Sequence, residues 1–214
     1  MATSSTQPAR TRLSPADREQ QIVAEAIKFF SEVGFGGQTR ELARRLGITQ
    51  GLLYRYFPEK QALLERVYAT VFEEKWNAQW APRLQERTIP LRERLLDFYA
   101  EYRKLIQTSE WVRIYLLAGL AGLDINQRYR ELLKRRLFPI IATELRIEFG
   151  VEKSSRRVSK EEEEHLLTLH GMIFYQGIRK WVYGWESATD EHVTLGRQID
   201  MFLYGAQLMY RSDS

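Results

Sequence analysis

Gln50, Gly51, Tyr54 and Arg55 crowd into one short stretch of the sequence TRELARRLGITQGLLYRYFPEK, residues 39–60. Side chains of these types suit one chemistry in particular. Gln and Arg hydrogen-bond the edges of nucleic-acid bases, and Tyr offers a hydroxyl plus a ring that can meet a thymine methyl. Gly51 removes a side chain where a backbone must come close. On a helix, Leu53 and Phe57 would form the inward face, leaving the other four for something outside the protein. The segment holds too few apolar side chains to bury every face.

Catalytic chemistry finds little footing. The absence of Cys excludes disulfides, thiolate metal sites and a Cys nucleophile. The three histidines are His165, His170 and His192. Glu162 and His165 have the E-x-x-H spacing of a bundle di-iron site, but such a site needs a second copy and further Glu, and none is present. The plainer reading is a solvated acidic helix start. His165 and His170 lie on diverging faces. No glycine-rich phosphate loop, G-x-S-x-G elbow or zinc spacing occurs. The sequence predicts no enzyme, no metal and no cofactor.

The elements that must position the first group are helices. Ser14-Pro15 reads as an N-cap and first helical residue. Ile22, Ala26, Phe29, Phe30 and Val33 then form one apolar stripe, ended by the glycines at 34, 36 and 37. Thr39 to Leu46 makes a second helix, Gly47 supplies a tight turn, and Thr49 caps a third running to about Phe57. Free N–H groups at the helix starts by Thr39, Thr49 and Lys60 would bind phosphate oxygens. Three such helices form a helix-turn-helix, a unit that reads DNA in some proteins and merely packs in others. A long fourth helix is predicted from Glu59 to near Trp80, stopped by Pro82. Further helices are predicted over 90–108, 111–122, 124–149 with a kink at Pro139, from Ser159 to near Trp185, and from Ser187 or Thr189 to about Tyr210. The fold is all-α, with about nine helices.

The 214 residues are 44% hydrophobic and 12% aromatic, ample for a core. Net charge is +4, and up to Arg66 ten Lys/Arg face seven Asp/Glu, so that third carries +3 of it. This suits a polyanionic partner without requiring one. Residues 1–13 read as a disordered tail or, through Arg10 and Arg12, a basic arm. They lack the apolar region of a secretory signal. The apolar run 114–123 is about half the ~20 residues a membrane span needs, so a cytoplasmic protein without a membrane partner is expected.

The pattern G-x-x-x-x-T-R-E-L-A-R-R-L-G-I-T-Q-G-L-L-Y-R-Y-F-P-E-K-x-x-L-L, from Gly34 to Leu64, resembles the tetracycline-repressor (TetR) family of bacterial regulators. The matched span is about 16–66. The resemblance implies a homodimeric repressor with a DNA-binding domain, here 14–66, and an effector-binding and dimerisation domain, 67–214. It implies that Thr39, Tyr56 and Lys60 touch phosphate, and that Arg40, Gln50, Gly51, Tyr54 and Arg55 face the bases or nearby backbone of an operator duplex. Gln38, Leu52 and Glu59 depart from the family's usual residues. A DNA-coating or protein-interaction module without an effector is the rival reading.

Two seams close the chain. His170, Phe174, Gly177, Trp181 and Gly184 recur at spacings of four and three, as do Leu195, Ile199, Phe202, Ala206 and Met209, the rhythm of near-parallel bundles. Both helices carry further apolar faces, so the seams are assigned to a two-fold dimer interface. Aromatic pairs one turn apart, Trp76 and Trp80, Phe98 and Tyr102, Trp111 and Tyr115, read as core or, with Phe174, as the lining of a small-molecule effector pocket. Arg113 interrupts an apolar run and must be paired if buried. Its partner is either a carboxylate such as Asp97 or Glu101, or an acidic effector.

Overall fold

The computed structural model describes residues 13–151 and 157–212; the expected disordered tail or basic arm lies outside the described residues, apart from Leu13. Among the described residues the architecture is eleven α-helices and one π-helical segment, without a strand. One continuous apolar core runs from the first helix to the last.

Three helices present the N-terminal surface. In α1 (Pro15–Val33) the Ser14 hydroxyl accepts from the Asp17 N–H, and Ile22, Ala26, Phe29 and Phe30 point inward. α2 (Thr39–Leu46) ends at Gly47, whose φ of 63° is a left-handed conformation open to glycine at little cost. α3 (Gln50–Tyr56) starts where the Thr49 hydroxyl accepts from the Leu52 N–H. Gly37, in the turn before α2, is equally constrained: a Cβ there would stand 2.5 Å from the Phe29 ring.

The long fourth helix is broken. α4 (Lys60–Tyr68) passes into a π-helical segment, Ala69–Glu73, and a turn holds Trp76 before α5 (Trp80–Leu84) begins. Pro82, expected as a stop, lies in the first turn of α5, where its missing N–H would have had no partner anyway. The wider π turn sets Phe72 against Trp111 and Tyr129, with ring centroids 5.1 and 5.5 Å apart. α6 (Leu91–Ile106) and α7 (Ser109–Leu120) follow the prediction. The helix predicted over 124–149 is two, α8 (Ile125–Arg136) and α9 (Phe138–Glu148), because Pro139 starts a new helix instead of kinking an old one.

α10 (Lys160–Trp181) opens with a reciprocal cap between Ser159 and Glu162. It ends before Gly184, which has a φ of 68°. α11 (Glu191–Ser212) is capped by Asp190, which accepts from the N–H groups of His192 and Val193, and not by Ser187 or Thr189.

The assigned interface seams need correction. Leu195, Ile199, Phe202 and Ala206 are at most 2% exposed within the single chain. His170 and Gly177 are also interior, and a Cβ on Gly177 would lie 2.8 Å from Val112. Trp181 donates its indole N–H to the Gln107 carbonyl, Met209 packs half-buried on the core, and Gly184 sits in an exposed loop. Both helices had two apolar faces, and the interior took the heptad face. The outer face of α11 keeps Val193, Met201, Tyr204 and Leu208, exposed by 47–64%.

Candidate nucleic-acid interface and ligand cavity

The residues predicted to read DNA gather on one outer surface. Leu53 is 1% and Phe57 7% exposed, so these two anchor α3 to α1 and α2. Gln50, Gly51, Tyr54 and Arg55 face outward beside Arg40. The Tyr54 hydroxyl stands 3.0 Å from the Thr39 hydroxyl, and the Gln50 amide N–H reaches both at 3.4 Å. These contacts, Thr39 first and then Gln50, hold the Tyr54 phenol below its ordinary range. The three side chains are thereby prealigned across the α2–α3 gap, which lowers the entropy lost when they meet a partner. No protein atom lies within 4 Å of a Cβ placed on Gly51, so its bare backbone is open to approach.

Three other predicted contacts carry internal duties as well. Thr49 caps α3. Tyr56 packs half-buried against the core. The Lys60 ammonium donates to the carbonyls of Phe35 and Gly37, the latter at 2.9 Å, bracing the turn before α2. An ammonium has three donors, so one remains beyond these two.

The second site is a cavity of about 510 Å³ between α6, α7, α8 and α10, within the usual ~300–1,000 Å³ of small-molecule pockets. Tyr102, Trp111, Tyr115 and Phe174 line it as predicted, joined by Tyr129, Asn126, Leu133, Leu167 and His170. Trp111 stacks on Tyr115 at 4.9 Å, and Phe174 stands edge-on to both. The hydroxyls of Tyr102 and Tyr129 bond each other. Burial pushes the phenols of Tyr102, Tyr115 and Tyr129 above their usual range. It also brings His170 down to about 4. The cavity wall is therefore neutral near pH 7, apart from Arg130, which is paired with Glu163.

Residues 22–67 match the family model of "Bacterial regulatory proteins, tetR family". The match spans most of α1, all of α2 and α3, and α4 up to its penultimate residue. Solved tetR-type structures extend the likeness in fold over almost the whole chain. A regulator from Rhodococcus sp. RHA1 has a TM-score of 0.60 and 20% identity, with 90% of this chain and 97% of that one covered. One from Streptomyces coelicolor has a TM-score of 0.59 and 18% identity, with 92% and 85% covered. One from Pseudomonas syringae has a TM-score of 0.58 and 17% identity, with 90% and 97% covered. No curated protein matches the sequence. The chain thus shares the tetR fold.

Within that tetR fold, three residues predicted for the effector lie outside the cavity. Trp76 meets Trp80 edge-on, Phe98 stacks behind Tyr102, and Arg113 donates to the Ser31 carbonyl of α1 at 2.7 Å. Its partner is therefore neither suggested carboxylate. Glu101 and Asp97 pair with Arg83. Asn126, Tyr129 and His170 were missed as cavity residues: the first two lie in a polar helix with no aromatic stripe, and His170 fitted a seam. Glu162 is buried against Arg146 and Tyr210, and His165 bonds the Phe202 carbonyl, so both have structural partners. Among the described residues no helix is long and apolar enough to cross a membrane, and no group of three His, Cys, Asp or Glu could hold a metal.

Proposed function

We propose that the protein is a cytoplasmic homodimeric repressor that binds a palindromic operator and is released by a small molecule in the cavity. The observation that carries the DNA half is the aligned Thr39–Gln50–Tyr54 cluster on α3 and α2, with Arg40 and Arg55 exposed beside it. α3 enters a major groove, where Arg40, Gln50, Tyr54 and Arg55 meet base edges or nearby backbone and Gly51 permits close approach. Thr39, Tyr56 and the remaining Lys60 donor hold phosphates, as does the α3 start at Thr49. The exposed apolar stripe on α11, with Tyr175 on α10, supplies the dimer surface. Two copies then set two recognition helices about 34–36 Å apart, one duplex turn.

Selection of bound fragments from random duplex DNA tests this. A repressor returns an inverted repeat with half-sites about one turn apart, bound at least about 10³-fold more tightly than random sequence. Recovery of unrelated fragments with equal affinity would leave the DNA-coating alternative standing instead.

A further inference from the structure

Four buried side-chain polar atoms have no hydrogen-bond partner among the described residues, and three of them belong to residues lining the one cavity: Trp111 Nε1, Asn126 Oδ1 and His170 Nε2. Native interiors leave few such groups, because each loses water without replacement. Three at one cavity point to a ligand that supplies the missing bonds.

The atoms also state its chemistry. Trp111 Nε1–H can only donate; its ring is 3% exposed, so the bond must come from an acceptor inside the cavity. The Asn126 amide N–H already donates to the Tyr115 carbonyl at 2.8 Å, leaving Oδ1 to accept. His170 is 7% exposed, and its Nδ1 lies 3.1 Å from the Leu166 carbonyl. The Tyr99 hydroxyl also stands 3.2 Å from Nδ1 and can donate to it, so Nε2 serves as acceptor or donor according to which ring nitrogen carries the proton. One donor, one acceptor and an imidazole nitrogen able to act as either thus belong to residues that line a box of aromatic faces. Arg130, the one charged side chain lining the cavity among the described residues, is committed to Glu163. A carboxylate entering here would find no free cation to offset its lost hydration.

We propose that the cavity binds an uncharged aromatic molecule bearing both a hydrogen-bond acceptor and a donor, a phenol being the simplest such class. This rests on the reading of the cavity as the effector site. The ring fits between the Trp111–Tyr115 stack and Phe174. Its oxygen accepts from Trp111, and its O–H donates to Asn126. Selectivity for the hydroxyl follows because a buried site built to hydrogen-bond a group rejects the analogue lacking it.

The test uses three probes of one shape on the intact protein without DNA: 4-phenylphenol, biphenyl and biphenyl-4-carboxylate. Tryptophan fluorescence and calorimetry follow binding. The phenol should bind at least about tenfold more tightly than biphenyl, as expected for one net hydrogen bond, and tenfold more tightly than the carboxylate. Trp111→Phe keeps an aromatic wall without the N–H, and Asn126→Leu keeps the bulk without the acceptor. Each should reduce the phenol-to-biphenyl ratio at least threefold, the ratio cancelling any loss of packing common to both probes, and thermal unfolding confirms that both variants are folded. Equal affinity for phenol and biphenyl, tighter carboxylate binding, or no binding of any probe would each overturn the assignment. The regulator reading is scored separately, by selection of DNA fragments with no probe present, so either can fail alone.

Discussion

At the scale of single residues, two side chains carry measurable expectations. Tyr54→Phe keeps the ring and removes the hydroxyl that joins Thr39 and Gln50. Operator binding should weaken by about 1–3 kcal/mol with little change on random DNA, and urea unfolding should be unaltered because the position is exposed. Competition between operator and random duplexes checks it; equal loss on both would mean that Tyr54 touches only backbone. His170 makes a second expectation. Its folded pKa of about 4 lies below the ordinary 6.5, so between those values the unfolded chain binds the proton and the folded chain does not. Stability is therefore complete above about 6.5 and falls with pH down to about 4, by roughly 3 kcal/mol at most. His165, lowered by burial, adds a slope of the same sign. Glu162, brought to about 2 despite its burial by Arg146, the Ser159 N–H and Tyr210, loses its contribution separately, from 4.5 down to about 2. In urea unfolding at several pH values, His170→Gln should flatten the upper window and leave the lower one. The sequence showed the types of the cavity residues but not their meeting. Trp111, Tyr115 and Phe174 announced themselves as aromatics at helical spacing, whereas Asn126 and His170 acquire their significance only from four helices converging on them.

At the scale of elements, α7 joins the two candidate sites. Trp111 and Tyr115, one turn apart, face the cavity, while Arg113 between them points the opposite way and donates to Ser31 in α1. Under the proposed function, a ligand that shifts the first face would shift the second through this bond, and α1 is the floor on which α2 and α3 rest. Arg113→Met should leave the separate affinities for operator and effector nearly unchanged and reduce their coupling below the ~1–3 kcal/mol typical of linked sites. Measuring each affinity with and without the other ligand gives the coupling twice, and the two values must agree. Unaltered coupling would remove Arg113 from the connection. The helices themselves were largely legible, since Ser14, Thr49 and Ser159 marked their starts by capping chemistry. The π-helical segment was not. The apolar stripe of Leu63, Val67, Val71 and Phe72 continues across it, and one extra residue per turn leaves no mark in composition. Nor did periodicity decide which face of α10 and α11 turns inward, because each helix offers two.

At the scale of the whole molecule, that last ambiguity becomes the argument for assembly. Val193, Arg197, Met201, Tyr204 and Leu208 follow one another at spacings of four, four, three and four on the outer face of α11. Exposed apolar side chains aligned in this way, with Arg197 the one charge among them, mark an interaction site more often than a solvated face. A two-fold interface brings the same patch of both copies together, so a charge at its centre meets its own image. Met201→Glu should therefore give a monomer at micromolar concentration with the helical fold intact. Phe202→Arg, one residue on, should instead unfold the protein, because Phe202 is 2% exposed within its own chain. Dissociation also has a consequence on DNA. Two linked half-site contacts exceed one by about 10²–10⁴-fold through effective concentration alone. Met201→Glu should lose a factor of that order on the full inverted repeat, yet bind an isolated half-site as the wild type does. Sedimentation of both proteins, with titration of full and half operators, measures each part. A monomeric wild type would remove the α11 interface, and a variant that stays dimeric with full affinity would place the contact between copies elsewhere on the molecule.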